Sequence, residues 1–168
     1  MNLKHSQAYS LLDLILTMSL IAILTGTALP DFLAILEYNR INSLRNQFHA
    51  HIQQARALSV LKMKDMELCG SSDGRHCDDQ WSLGWIVHSV KSSQVITHYQ
   101  LDHKDVIRWA GATERIRFHS NGTTPLGNGR LFICNQDRMV VMQIVLNRQG
   151  RARLVAGLEK NQNQTIRC

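Results

Sequence analysis

The residues best suited to binding chemistry are three arginines near the C-terminus, Arg148, Arg151 and Arg153. In a β-strand, residues two apart share a face, so Arg151 and Arg153 are expected to point the same way. A guanidinium group donates two parallel hydrogen bonds to one oxyanion, and several such groups on one surface suit phosphate. Gly150 allows a tight turn just before them. The spacing predicts a phosphate-binding surface, with an ordinary solvated strand face as the alternative.

A turn and a strand are expected to position these arginines. Residues 147–150 have turn composition and follow a β-rich run over 139–146. A strand is expected over 151–158, with Ala152 and Leu154 facing the core and the arginines facing solvent.

The positive charge is concentrated in the same part of the chain. The formal net charge is +6, yet residues 9–146 carry thirteen Lys and Arg against twelve Asp and Glu. The last 22 residues carry five basic residues against Glu159 alone, and Lys160 and Arg167 extend the candidate site into the tail. A local basic excess predicts a polyanionic partner. The tail has no aromatic residue, so contacts with backbone phosphates are expected rather than base stacking.

A run of seventeen uncharged, mostly apolar residues, 14–30, lies close to the N-terminus. Its length is near the lower limit for spanning a membrane, about 17–25 residues. A secretory signal cleaved near 25–28 and a plain membrane anchor are both possible interpretations. Neither explains Asp13, because a carboxylate at the edge of hydrocarbon is costly unless it has a partner or a function.

Four cysteines in an exported chain predict two disulfides, for which three pairings are possible. Cys69–Cys77 is favoured because the two are close in sequence, and Cys134–Cys168 because it would hold the C-terminal tail. The spacing around His76 is not typical of zinc, so no metal is expected. The histidines are scattered and no catalytic motif is present, so neither an enzyme nor a cofactor is predicted.

The periodicity of apolar residues predicts one long helix followed by strands. Apolar residues recur every three or four positions from Ile41 to Leu61, which extends the helix from about residue 9 to 64. Its first half is apolar all round and its second half has one apolar face. Strands are expected over 85–90, 95–101, 115–119, 131–134, 139–146 and 151–158. Their close spacing predicts an antiparallel sheet and an α+β fold, with the helix packed on the C-terminal sheet domain.

The N-terminal residues resemble those of type IV pilins: a small residue, then aromatic, polar, apolar, apolar and acidic residues, then an apolar helix with Pro30 inside it. The resemblance implies that a prepilin peptidase cuts between Ala8 and Tyr9 and that the new N-terminus is methylated. Ala8 stands where the family usually has glycine, and Asp13 where it usually has glutamate. Asp13 would then pair with the N-terminus of a neighbouring subunit, which fixes register more surely than it adds stability.

The same resemblance implies the organisation of the chain. Residues 1–8 would be a leader, 9–38 a transmembrane and filament-core helix, and 39–168 a soluble pilin domain. Before assembly the protein would lie in the inner membrane as a single-pass protein, with its domain in the periplasm. After assembly it would lie with other pilins in a type IV pilus at the cell surface.

The second half resembles the GspH/FimT-type minor pilins and pseudopilins, through residues 54–58, 84–85, 118–122 and 150–153. In the FimT branch, a C-terminal GRxR motif is associated with binding DNA during natural transformation, and Gly150, Arg151 and Arg153 match it. The resemblance implies a minor pilin that binds double-stranded DNA. The alternatives are a structural pseudopilin or minor pilin without DNA binding, and an unrelated membrane-anchored periplasmic domain.

Overall fold

The computed structural model describes residues 10–102 and 105–168. Helix α1 spans Leu11–Leu61. Ser10 and Asp13 cap its start reciprocally: Leu12 N donates to Ser10 Oγ at 3.3 Å, and Ser10 N donates to Asp13 Oδ2 at 3.3 Å. This arrangement satisfies two backbone donors that a helix start leaves unpaired.

The helix ends three residues before the predicted position. Met63 adopts a left-handed conformation with φ of 50°, and Lys64 N donates to Ser59 O at 3.2 Å. This six-to-one hydrogen bond around a left-handed residue is the Schellman termination of an α-helix. The residues after Leu61 therefore form the cap, which periodicity does not distinguish from another helical turn.

The chain divides into two units, Met1–Arg40 and Ile41–Cys168. In the described part of the first unit, the large apolar side chains are exposed. Helix α1 contains an 18-residue window with a mean hydropathy of 1.9, so it is long and apolar enough to cross a membrane. Pro30 lies inside this helix.

The second unit contains eight strands in two antiparallel sheets. The first sheet has the order β3-β2-β1-β5 and the second has the order β4-β6-β7-β8. The strands are β1 (Met66–Gly70), β2 (Gly84–Ser89), β3 (Val95–Gln100), β4 (Val106–Gly111), β5 (Ile116–Phe118), β6 (Gly129–Cys134), β7 (Val140–Leu146) and β8 (Ala152–Ala156).

All six predicted strands and their antiparallel pairing are confirmed, but the prediction missed two strands and the division into two sheets. Strand β1 has five consecutive buried residues, so its sequence lacks the alternation that marks a strand with one solvated face. Strand β4 follows a stretch of mixed charge and carries an exposed arginine, Arg108. It is recognisable as a strand mainly by its pairing with β6.

The core lies entirely within the second unit. The predicted stripe of α1 is buried at Ile41, Leu44, Phe48, Ile52 and Ala55, whereas Leu61 is 79% exposed, contrary to the prediction. Leu61 is exposed because it is the last helical residue. The stripe joins one cluster with apolar residues of both sheets. Because all the buried hydrophobic residues that the structure describes belong to Ile41–Cys168, this unit carries a core of its own.

Two of the three tryptophans lie in the core. Trp81 and Trp85 are buried, and Trp109 is partly buried against the same cluster. Trp85 Nε1 donates to His51 Nδ1 at 2.8 Å, and burial lowers the pKa of His51 below its usual value. The neutral imidazole is the form that can accept this bond at Nδ1, so burial and hydrogen bonding favour the same state.

Both favoured disulfides are present. Cys69 bonds Cys77, which closes the loop after β1, and Cys134 bonds Cys168, which attaches the C-terminus to the end of β6. An isolated antiparallel bridge between Met139 and Arg167 reinforces the second attachment. The tail is therefore held against the second sheet at its far end.

Candidate functional site

The predicted turn joins β7 to β8 and is held by backbone hydrogen bonds. We call residues 147–151 the basic turn. Gly150 N donates to Asn147 O at 3.0 Å, and Arg151 N donates to the Asn147 side chain at 2.9 Å. Thr124 N donates to Arg148 O at 2.9 Å, which ties the turn to a neighbouring loop. These hydrogen bonds fix the backbone conformation of the turn that carries Arg148 and Arg151.

Gly150 is buried and has a φ of 74°. A Cβ at this position would lie 2.4 Å from Gly122 O and 3.2 Å from Arg56 Nε. Arg56 Nε donates to the same Gly122 O at 3.1 Å. Glycine is required here for both conformation and space, because a left-handed backbone and a backbone contact coincide. The contact also brings the half-buried Arg56 of α1 close to the basic turn.

Arg148 and Arg151 are exposed. In the part of the chain that the structure describes, neither guanidinium group has a carboxylate partner. Asn147 N donates to Arg151 O at 3.1 Å, which continues the pairing of β7 and β8 by one residue. Strand alternation then places Arg151 on the same face as Arg153, as the spacing predicts. That face is the outer one, since Arg153 pairs with Val145 between the buried Ile144 and Leu146.

The prediction for the inner face of β8 is only partly right. Ala152 packs against the core, but Leu154 is 40% exposed instead of buried. Strand β8 lies at the edge of its sheet and pairs on one side only, with β7. Alternation identifies the face of a residue, whereas the position of the strand in the sheet decides how completely that face is covered.

Arg153 has a partner that the sequence did not reveal. Arg153 Nη2 lies 2.8 Å from Glu159 Oε1, and Arg130 Nη1 of β6 lies 2.7 Å from Glu159 Oε2. We call these three residues the Glu159 cluster. Hydrogen bonds from Arg153 and Arg130 lower the pKa of the Glu159 carboxyl below its usual value, so it is ionised at neutral pH.

The tail residues are divided between the two ends of the sheet. Lys160 is exposed and follows the Glu159 cluster directly. Arg167 lies beside Met139, where it donates to the backbone oxygens of Gln164 and Ile166. Seven residues of β7 separate Met139 from the basic turn, a distance of roughly 26 Å along the strand. The structure thus brings Arg148, Gly150, Arg151 and Arg153 together and leaves Arg167 apart from them.

Arg56 and Arg130 are basic residues near the site that sequence reasoning missed. Arg130 opens β6 next to Gly129, and Val145 of β7 pairs with both Arg130 and Arg153. No local spacing connects residues 56, 130 and 153. A correct pairing of β6, β7 and β8 would have identified Arg130, because residues opposite each other across strands share a face.

A second arginine cluster lies on the first sheet. Glu67 of β1 has a side chain that is only 6% exposed, 3.0 Å from Arg117, 3.4 Å from His88 and 3.6 Å from Arg115. We call these four residues the Glu67 cluster. The hydrogen bond from His88 and the charge and hydrogen bond of Arg117 lower the pKa of Glu67, although burial opposes the shift. Arg115 also pairs with Asp79 at 2.9 Å.

A groove of about 560 Å³ runs beside the Glu67 cluster, and Leu126 is among its apolar lining residues. Its charged lining residues include both signs, with Glu67, Asp79 and Glu114 facing Arg115 and Arg117. These charges neutralise one another, so the groove does not favour a polyanion.

Three possible metal ligands lie close together, but two of them are cysteines that are bonded to each other. The ligand atoms of Cys69, Cys77 and His88 lie within 4.8 Å of one another, and Cys77 Sγ is 3.2 Å from His88 Nε2. Metal binding by cysteine needs the thiolate, and both sulfurs here are joined in the disulfide. Cys69 and Cys77 therefore close the loop covalently.

Comparisons with known proteins agree on the fold. A family model described as type II transport protein GspH matches residues 45–150, which ends at the glycine of the basic turn. Arg151, Arg153 and the tail lie beyond the matched residues. Among curated proteins, none matches the sequence significantly.

Two kinds of solved structure are similar to this chain. The type IV minor pilin FimU of Pseudomonas aeruginosa is 18% identical with a TM-score of 0.58, over 72% of this chain and 92% of that one. The minor pseudopilin EpsH from the type 2 secretion system of Vibrio cholerae is 13% identical with a TM-score of 0.50, over 71% of this chain and 96% of that one. Likeness at such low identity shows the fold alone.

Proposed function

The chain belongs to the GspH family of type II transport proteins, and on that premise we propose that it is a minor type IV pilin that binds DNA. Members of the family are minor pilins and pseudopilins with a structural rather than catalytic role. The finer proposal is that the basic turn and Arg153 bind the phosphate backbone of double-stranded DNA. Such binding would support DNA uptake in natural transformation.

One observation carries this proposal: the guanidinium groups of Arg148 and Arg151 are exposed on a rigid turn without a described carboxylate partner. An arginine paired with an internal carboxylate must give up that partner before it binds phosphate. Arg148 and Arg151 need no such exchange, and the hydrogen-bonded backbone holds both in place. Lys160 is exposed nearby and adds positive charge to the surface.

The protein is expected to contact the phosphates of the DNA backbone and not to recognise a base sequence. Phosphate contacts provide affinity that falls steeply with salt, and they do not distinguish bases. With about three to five cations, the dissociation constant should be micromolar or weaker at physiological salt.

Anchoring and assembly follow the pilin pattern in this proposal. The apolar helix fits a membrane anchor, and the domain 39–168 would lie in the periplasm. A prepilin peptidase would cut between Ala8 and Tyr9, which lie outside the described residues. Asp13 caps its own helix here and, after cleavage, would pair with the N-terminus of a neighbouring pilin in the filament. The pilus would then display the basic turn at the cell surface.

The test uses residues 39–168, which contain the whole core and both disulfides. Labelled double-stranded DNA is titrated at low and moderate salt against the wild type and the Arg148→Gln/Arg151→Gln double variant. Each charge-assisted hydrogen bond contributes about 1.5–3 kcal/mol, so the double variant should bind at least about a hundredfold more weakly.

The matched control is the Arg75→Gln/Lys91→Gln double variant. It removes the same two charges from exposed loops of the first sheet and should bind DNA within about twofold of wild type. Equal affinity of the wild type and the Arg148→Gln/Arg151→Gln variant would refute the proposed site. Equal weakening by both double variants would mean that the net charge of the domain, and not the position of Arg148 and Arg151, determines DNA affinity.

A second candidate function is a structural subunit without DNA binding, in a pilus or a type II secretion system. The pairing of Arg153 with Glu159 favours it, because that ion pair removes one of the two motif arginines from the free positive surface. This candidate expects no DNA affinity at moderate salt and a defect in piliation or secretion when the chain is deleted.

A further inference from the structure

Arg130 and Arg153 form a two-arginine anion site whose anion is part of the same chain. Val145 of β7 pairs with Arg130 of β6 on one side and with Arg153 of β8 on the other. Residues opposite one another across strands share a face, so both arginines flank Val145 on the outer face of the second sheet. Each donates to a different oxygen of the Glu159 carboxylate, at 2.7 Å and 2.8 Å.

This arrangement also suits a phosphate group. Two guanidinium groups directed at two oxygens of one oxyanion are the geometry in which arginine recognises carboxylate and phosphate alike. The cluster holds two positive charges against one negative charge, so it remains net positive while Glu159 is bound. A phosphodiester group would provide the same number of unesterified oxygens with the same single negative charge.

Arg130 is held independently of Glu159. Arg130 Nη1 also donates to Gln143 Oε1 at 2.9 Å, and Gln143 is fully buried. Gln143 in turn donates to Gly157 O at 2.7 Å and to the Gln162 side chain at 2.8 Å. Departure of the Glu159 side chain would therefore leave Arg130 oriented and the tail attached.

The groove beside Arg130 and the short distance to the basic turn favour an external anion at this position. A groove of about 330 Å³ lies beside Arg130 and Val145, and four of its other lining residues, Ala110, Gly111, Ala112 and Gly129, are small. The side chain of Arg153 is 60% exposed. Arg151 lies two residues before Arg153 on the same face, about 7 Å along the strand. A phosphate chain bound at the basic turn would thus reach the Glu159 cluster without leaving the sheet.

We propose that Arg130 and Arg153 form a phosphate site that Glu159 occupies in the free protein and that a DNA phosphate takes over on binding. The DNA part of this inference rests on the function proposed above. Glu159 acts as an internal competitor, so it lowers the affinity for DNA and limits binding to polyanions that also engage the basic turn. Arg130, which lies outside the GRxR motif, becomes a DNA-binding residue.

The decisive variant is Glu159→Gln, titrated with double-stranded DNA and separately with inorganic pyrophosphate. Because Glu159 must leave before a phosphate can bind these arginines, and exposed ion pairs are weak, its neutralisation should tighten DNA binding by about three- to tenfold. One additional phosphate contact should steepen the salt dependence, adding about 0.9 to the slope of log affinity against log salt. Pyrophosphate should shift the amide resonances of Val145 and Arg153 in the variant.

Two further variants distinguish a specific phosphate site from a general effect of net charge on DNA affinity. Asp137→Asn removes one exposed negative charge at the turn between β6 and β7, at the opposite end of β6 from Arg130. It should change DNA affinity by less than about twofold at moderate salt, where the Debye length is about 10 Å. Arg130→Gln added to Glu159→Gln should abolish the gain and the pyrophosphate shifts. The same gain in the Asp137→Asn variant would overturn the inference.

The outcomes for the two proposals are distinct. If Glu159→Gln binds DNA no better than wild type while Arg148→Gln/Arg151→Gln still weakens binding, the phosphate site is refuted and the proposed function stands. If the wild type does not bind DNA but Glu159→Gln binds pyrophosphate through Arg130, the proposed function fails and the phosphate site stands. If no variant binds either probe, both fail.

Discussion

The two sheets of the domain each carry a carboxylate between arginines, but the two carboxylates differ in how the chain holds them. Glu67 lies in the middle of the first sheet, on β1 between two paired strands, with a side chain that is 6% exposed. Glu159 lies in the tail after the last strand, with a side chain that is 21% exposed. Hydrogen bonds, chiefly from His88 to Glu67 and from Arg153 to Glu159, hold the pKa of each carboxyl below its usual value.

The difference shows that residue type does not decide whether an arginine cluster is structural or available to a ligand. Removing a partner from a buried ion pair leaves an uncompensated charge and is strongly destabilising, whereas exposed ion pairs contribute little. Glu67 cannot leave its arginines without disruption of the sheet. Glu159 can leave by rotation of one side chain, so its arginines can change partners.

The largest expected effect concerns the backbone that holds the unpaired arginines. Gly150→Ala places a side chain on a left-handed residue and brings its Cβ to 2.4 Å from Gly122 O. The conformation alone costs about 1–3 kcal/mol, and overpacking typically adds about 1–3 kcal/mol. We expect a large fall in the free energy of unfolding, measured by denaturant titration, together with weaker DNA binding.

Gly157→Ala is the matched control for this change. Gly157 has a φ of 62°, and a Cβ added there would meet no other atom within 4 Å, so only the conformational cost applies. A loss of stability in Gly150→Ala no larger than in Gly157→Ala would show that contact with the Gly122 loop does not hold the basic turn.

A smaller effect is expected from neutralising the two carboxylates in turn. Glu67→Gln should lower the free energy of unfolding by about 2 kcal/mol, because hydrogen bonds to a charged group contribute about 1.5–3 kcal/mol. Glu159→Gln should leave the melting temperature close to that of wild type. Thermal unfolding of both variants gives a direct comparison. Equal destabilisation by the two changes would abolish the distinction between the clusters and make Glu159 a structural residue.

The smallest expected effect is a pH dependence of the free energy of unfolding that arises from the Glu67 carboxyl. Its folded-state pKa lies below the ordinary value of 4.5, chiefly because of the hydrogen bond from His88. A lowered folded pKa contributes stability that is complete above the unfolded value and is lost as pH falls through the folded value. The stability difference between wild type and Glu67→Gln should therefore narrow below pH 4.5, as measured by chemical denaturation. A constant difference down to acid unfolding would contradict this assignment.

Local pattern predicted the elements of the fold well. The apolar stripe through Phe48 and Ile52 identified the packed half of the helix, and alternation identified six strands. Strand β1 was not predicted because all five of its residues are buried, so apolar and polar residues do not alternate along it. Proximity in sequence favoured Cys69–Cys77, and the structure contains that bond.

The candidate site was predictable only where neighbours in sequence are also neighbours in space. Arg151 and Arg153 share a face because strand geometry repeats every two residues, which is a property of the local chain. The requirement for glycine at position 150 has two parts. A turn residue could be anticipated, but the contact with Gly122 joins segments that are 28 residues apart and depends on how the two loops pack.

Composition and spacing specified a basic C-terminus, a long helix, antiparallel strands and the exposed arginines of one hairpin, because each depends on local periodicity or on charge. Tertiary structure alone decided which of those arginines are free. Arg130, Arg153 and Glu159 come from β6, β8 and the tail, and they meet because the register of three strands and the path of the tail bring them together. Register and path depend on packing over the whole domain, so no short stretch of sequence encodes them.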